Sequence, residues 1–125
     1  MADEPLAQQG HFLHIYDFHV KPGTGEEFIA AFNEADYQPD NPMHSSPAQI
    51  KDGVLCRDID NPDHFYLIGE WSSVEAHKAI RAKVAANKNA DRRFVSYVVG
   101  GKFAPLYAEV VSATPLEILR AGRSS

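Results

Sequence analysis

The chain has 125 residues, a formal net charge of −5, 44% hydrophobic residues and one cysteine. That length and apolar share suit one domain able to bury a core without crosslinks. The scattered basic residues lack the concentrated positive footprint of a nucleic-acid binder, and no apolar run approaches the length of a membrane span. The acidic, polar first ten residues run opposite to a secretory leader, and the lone Cys56 rules out an internal disulfide and suits a reducing compartment. A soluble cytoplasmic protein is expected, without nucleic-acid or membrane partners.

Residues 1–10 read as a flexible arm, 11–114 as the domain and 115–125 as a tail. From His11 to Val20 apolar residues occupy both alternation sets, Phe12, Tyr16, Phe18 and Val20 on one and Leu13 and Ile15 on the other. Such a strand is covered on both sides. Lys21-Pro22-Gly23 breaks it, and Thr24 with Glu27 has the spacing of a capping box. The helix so opened repeats Phe28, Ala31, Phe32 and Ala35 along one stripe. Asp36 to Pro47, rich in Pro, Asn, Asp and Ser, reads as an irregular loop, long for a plain connection.

A second strand is expected from about Gln49 to Ile59, with Gly53 marking a bulge. The Asp60-Asn61-Pro62-Asp63 turn joins it in a hairpin to a strand from His64 to the single tryptophan, Trp71. Ser72 and Glu75 then have capping-box spacing before a helix from about Val74 to Asn87. Asp91–Val99 fits either a helix ended by Gly100-Gly101 or a strand, and a short helix is favoured. Pro105 to Thr114 reads as the last strand. The order β-α-β-β-(α)α-β is the α+β, ferredoxin-like split βαβ pattern, a four-stranded antiparallel sheet with helices on one face. Because the first and third strands are apolar on both sides, the uncovered face calls for a second copy, and a homodimer is expected.

These residues resemble the antibiotic biosynthesis monooxygenase family, whose members are dimeric α+β barrels. The resemblance is carried by Val20-Lys21-Pro22-Gly23, Glu27-Phe28 and Phe32, Leu55-x-Arg57-Asp58, the Asn61-Pro62 turn and Phe65-Tyr66-Leu67-Ile68. Its most specific part is Glu70-Trp71-x-Ser73-x-Glu75-Ala76-His77, and it covers about residues 11–114. Characterised members include cofactor-independent oxygenases that turn anthrones and related polyphenols into quinones, and haem-degrading enzymes.

Several side chains are candidates for chemistry. Trp71, at a strand end, is either a core aromatic or, as the resemblance implies, a wall of the ligand cleft. His77 shares a helix side with Ile80 and Val84, so it faces inward and is either satisfied by a backbone carbonyl or lines a cavity as acid or base. Where oxygenase and haem-degrading relatives carry a cleft asparagine on the first strand, this chain has Tyr16, which would donate to a phenolate or sit in the core with its hydroxyl at the rim. His14 would orient substrate oxygens beside it, with Phe18 as a further substrate contact. Arg92 or Arg93 would steady an oxyanion, as an arginine near this place does in anthrone-oxidising relatives, or both are solvated charges.

No metal site is expected. His11 and His14 lie on opposite faces of their strand, and His11, Asp17 and His19 share a face but span too far to converge. No zinc, phosphate-loop or dinucleotide motif is present. The resemblance implies a cofactor-independent oxygenase of an aromatic, polyphenolic substrate, taking O2 and no cofactor. Haem binding is disfavoured because relatives of that type place the ligating histidine where this chain has Ala85, Ala86 and Asn87. A non-catalytic ligand-binding protein on the same scaffold is the other alternative.

Overall fold

The computed structural model describes residues 5–124, so Met1–Glu4 of the expected arm lie outside the described residues. In chain order the elements are β1 (Phe12–His19), α1 (Gly25–Asp36), β2 (Gln49–Arg57), β3 (His64–Trp71), α2 (Val74–Ala86), β4 (Pro105–Glu109) and α3 (Leu116–Arg123). The strands form one sheet in the order β2-β3-β1-β4, with every neighbouring pair antiparallel. This is the ferredoxin-like α+β fold expected from the order of elements.

Strand alternation sorts the side chains. His14, Tyr16 and Phe18 of β1 pair across the sheet with Gly69, Leu67 and Phe65 of β3. Together they make the face on which α1 and α2 lie. Phe18, Phe28 and Phe65 are at most 1% exposed and interlock with Phe32 and Phe94 at centroid separations of 5.0–6.4 Å. Removing such a ring from water contributes roughly 1.5–3 kcal/mol. The core is therefore a phenylalanine cluster between α1 and the middle of the sheet.

Four local details differ from expectation. Ser73, not Ser72, caps α2 by accepting from the Ala76 N–H at 3.1 Å, while the Ser72 N–H bonds to Ala48 O at 2.8 Å. Thr24 does precede α1 but makes no capping bond, because its hydroxyl donates to Lys21 O instead. The 91–99 segment is a 3₁₀ turn at Arg93–Tyr97 followed by a single bridge from Val98 to Val20, so each half of it takes one of its two competing propensities. The tail contains α3. The register of β2 on β3 shifts between Lys51 and Val54, where Gly53 sits.

The other sheet face carries Leu13, Ile15, Val54, Ile68 and Leu106, with Val54 60% and Leu106 63% exposed. Part of this face is covered by residues 5–10. The Gln8 N–H and His11 Nδ1 lie 2.8 and 2.7 Å from Glu70 Oε2, and Lys51 Nζ donates to the Pro5 and Leu6 carbonyls. Burial alone would raise the Glu70 carboxyl, but the Gln8 N–H, His11 and Lys51 outweigh it and hold its pKa below the usual value.

Candidate functional site

Between the sheet, both long helices and the 36–42 loop lies a cavity of about 320 Å³. Its buried side is aromatic, made by Tyr16, Phe18, Phe32, Phe94 and Phe103, and its open side is polar, from Asp36 to Asn41 and from Asn87 to Arg92. Asn41 accepts from the Met43 N–H, and His44 ties the loop down by bonding Asp36 O and Asp52 Oδ1, both at 2.9 Å. Both His44 ring nitrogens face acceptors. Although burial opposes its charge, the Asp36 carbonyl and the Asp52 and Asp36 carboxylates raise its pKa.

Tyr16 is the point where the cavity meets the protein's buried polar groups. Burial, only partly offset by Arg81, pushes its hydroxyl up to about 12, so it is a neutral hydrogen-bond donor. The Arg81 guanidinium sits 5.9 Å from the Tyr16 ring centroid, is held by the Phe103 carbonyl at 2.9 Å and lines the cavity. Behind Tyr16 lies His77, 0% exposed, with Nε2 3.5 Å from the Tyr16 hydroxyl and Nδ1 2.7 Å from the Tyr107 hydroxyl. A neutral ring with its proton on Nδ1 donates to Tyr107 and accepts from Tyr16. Tyr107 is half-buried, so the series Tyr16–His77–Tyr107 runs from the cavity toward the surface beyond β4.

His14 stacks on His77 at 4.5 Å, and Trp71 meets His77 edge-on at 4.9 Å. Neither ring nitrogen of His14 has a hydrogen-bond partner, nor does Trp71 Nε1. Desolvation, reinforced by His77, lowers the His14 pKa to about 4; desolvation and then Arg81 do the same to His77. Both imidazoles are neutral near pH 7. A Cβ on Gly69 would stand 2.5 Å from His14 Cε1, so only glycine leaves room for this ring.

The sequence-derived candidates therefore separate into three groups. Tyr16, Phe18 and Arg92 line the cavity. His77, His14 and Trp71 form the buried layer behind Tyr16 and are not part of the cavity wall. Arg93 pairs on the surface with Asp91 at 2.6 Å and Glu34 at 2.9 Å, away from the cavity lining. Arg92, besides lining the cavity, donates to the Val84 and Ala85 carbonyls at the end of α2. Arg81, Phe103 and Tyr107 were not picked out from the sequence. Arg81 had a signal, its place one helical turn after His77 on the inward side of α2. Tyr107 had none short of the β1–β4 register that sets it opposite His14.

Among the described residues no histidine, cysteine or methionine lines the cavity, Tyr16 being the one side chain there of a haem-ligating type, and both nitrogens of His77 are turned to tyrosine hydroxyls.

No protein-family model matches the sequence, and no curated protein matches it. Solved structures do match. A provisionally named antibiotic biosynthesis monooxygenase from Bordetella bronchiseptica superposes with a TM-score of 0.58 at 18% identity, covering 81% of this chain and 97% of that one. A variant of SnoaB, a cofactor-independent oxygenase from Streptomyces nogalater, gives 0.54 at 14% identity over 86% and 97%. The haem-degrader MhuD from Mycobacterium tuberculosis, solved with two haems in its active site, gives 0.62 at 21% identity over 83% and 99%. The chain thus has the fold of antibiotic biosynthesis monooxygenases, as the sequence resemblance implied.

Proposed function

We propose that this protein is a cofactor-independent oxygenase that converts an electron-rich phenolic aromatic, of the anthrone or dihydroxynaphthalene kind, to a quinone. The observation that carries the reading is the cavity, with aromatic walls and with Tyr16 and Arg81 among its lining residues. Flat apolar walls take the ring system, Arg81 donates to its oxygen, and Tyr16, whose own proton points to His77 Nε2, accepts from the substrate hydroxyl. Arg81 favours the phenolate or enolate over its neutral form, which makes the substrate an electron donor. That anion passes one electron to O2, the radical pair joins at carbon, and the peroxide eliminates water. One oxygen atom stays in the quinone and the other leaves in water with two substrate hydrogens, both from the methylene carbon of an anthrone, or one from the ring carbon and one from the phenol of a dihydroxynaphthalene.

His77 acts as a proton relay rather than as a base in contact with substrate. A proton passed to Tyr16 releases the tyrosine's own to His77 Nε2, and Nδ1 hands one to Tyr107. The low pKa of His77 makes a resting imidazolium unfavourable, so the two transfers run together. Trp71 and His14 hold the His77 ring by packing. Arg92 steadies charge at the open end.

The apolar outer face supports a homodimer packed sheet to sheet through Ile15, Ile68, Val54 and Leu106. Among the described residues no helix is long and apolar enough to cross a membrane.

The test is oxygen uptake by metal-free, flavin-free protein against a panel of anthrones and dihydroxynaphthalenes. Uptake matched by quinone absorbance supports the reading. Tight binding of panel members with no uptake would replace it with that of a ligand-binding protein.

A further inference from the structure

On the face of the sheet opposite the cavity, three donor groups from two strands converge. Asp17 and His19 are two residues apart on β1 and therefore point the same way. His64, the first residue of β3, lies directly opposite His19 in the antiparallel register. His64 Nε2 is in contact with Asp17 Oδ1, and His19 Nε2 lies 3.5 Å from the same oxygen. One donor atom from each of the three residues falls within 4.8 Å of the other two. The two imidazoles stack at 4.5 Å with their planes 18° apart.

We propose that Asp17, His19 and His64 form a binding site for one divalent transition-metal ion of the zinc kind. Tetrahedral zinc with nitrogen and oxygen ligands at about 2.0–2.2 Å sets neighbouring donor atoms about 3.3 Å apart. The Asp17–His19 separation of 3.5 Å already matches that spacing. Asp17 and His64 need only open slightly, as a metal ion replaces the proton they share. His19 is 67% exposed and free to swing in. Two imidazoles and one carboxylate suit zinc, cobalt, nickel or copper over magnesium or calcium, which prefer all-oxygen shells. Three protein ligands leave a fourth position open to water or a small anion.

The arrangement also has an outer layer. Asp58 Oδ2 lies 4.0 Å from His64 Nδ1, the nitrogen that stays protonated when Nε2 binds metal. Closing to hydrogen-bond distance, a carboxylate there would fix the tautomer and ring direction of a metal-bound histidine. Tyr66 packs on the other side of the His64 ring at 4.6 Å. Asp17 and Asp58 together supply the negative charge a dication needs. Because the sheet separates this site from the cavity, the ion takes no part in the proposed oxidation.

The experiment uses the full chain without an affinity tag, stripped by chelator and exchanged into metal-free buffer. Titration with Co2+ is followed by visible d–d absorption, and titration with Zn2+ by calorimetry. One ion per chain is expected, with Co2+ giving the intense bands of low-symmetry four- or five-coordination. His19→Ala, His64→Ala and Asp17→Asn should each weaken binding at least about tenfold. Asp17 and His19 are exposed and His64 is partly buried, and circular dichroism establishes that the variants stay folded. His44→Gln is the control, since its two nitrogens point to different acceptors and do not converge with another ligand. Absence of saturable binding of both ions by wild type would overturn the proposal. So would a bound ion whose affinity is the same in His64→Ala.

Discussion

Acidification from pH 7 to pH 5 should destabilise the fold through His14 and His77. Both are lowered from 6.5 to about 4 by burial, and both are at most 2% exposed. In the unfolded chain they take up protons below their ordinary value, whereas in the folded chain they stay neutral until pH approaches 4. The unfolded state therefore binds more protons throughout this window, so folding stability falls as pH falls. For each histidine the linkage relation gives a loss of ~2 kcal/mol between pH 7 and pH 5. At pH 5 neither ring is protonated in the folded state, so the stacked pair together loses ~4 kcal/mol, against a usual domain stability of about 5–15 kcal/mol.

Two groups oppose this slope. His44 has a raised pKa, so its contribution is complete below the unfolded value and is lost as pH rises. Asp36, raised by burial, also favours the folded chain as it takes up a proton. Glu70 acts outside the window, because its stabilisation is lost only below the ordinary carboxylate range. Urea unfolding of the His44→Gln variant at pH 7, 6 and 5 removes one of the two opposing groups and leaves Asp36 as the other. A midpoint that falls steadily is expected, and one that is flat or rising would refute the linkage argument.

Arg81→Gln should lower turnover by about 10²–10³-fold, the usual effect of losing one donor to a developing anion, and Tyr16→Phe by about 10²–10⁴-fold through loss of the relay's first acceptor, with the thermal midpoint little changed in both. Tyr107→Phe interrupts the relay without touching the cavity, so kcat should fall and its solvent isotope effect should change while KM holds. Gly69→Ala forces a methyl group against the His14 ring and should cost about 1–3 kcal/mol in denaturant unfolding, since the buried ring has nowhere to move. Leu106→Asp puts a charge on the exposed apolar face, and sedimentation should show the proposed dimer for the wild type and a monomer for the variant.

What the sequence made legible was what local chemistry decides. The hairpin followed from Asp60–Asp63 between two strand patterns, and α1 from the Phe28/Phe32 stripe. The inward turn of His77 followed from its helical spacing with Ile80 and Val84. The S-x-x-E spacing of Ser72 and Glu75 points to Ser72 as the cap, and the structure corrects this to Ser73. The choice falls to Ser73 since Ser72 pairs with Ala48 of the neighbouring chain segment. Arg93 has two readings in the sequence, a cleft residue by resemblance or a solvated charge, and its pairs with Asp91 and with Glu34 of α1 hold it at the surface. Tyr107 beside His77, and His64 beside Asp17 and His19, depend on cross-strand register. A single strand read alone does not contain that information. Spacing within β1 alone does not include His64 of β3, which lies beside Asp17 and His19 only through the register.

The most direct test of the proposed chemistry is product analysis after turnover of a dihydroxynaphthalene or anthrone under 18O2 by the metal-free protein. One labelled oxygen atom in each quinone, with the second label in water, is expected, and both should vanish in a variant whose cavity is filled by Phe32→Trp. Quinone carrying only unlabelled oxygen, oxygen returned as hydrogen peroxide, or equal conversion by the filled variant would contradict oxygenation in this cavity.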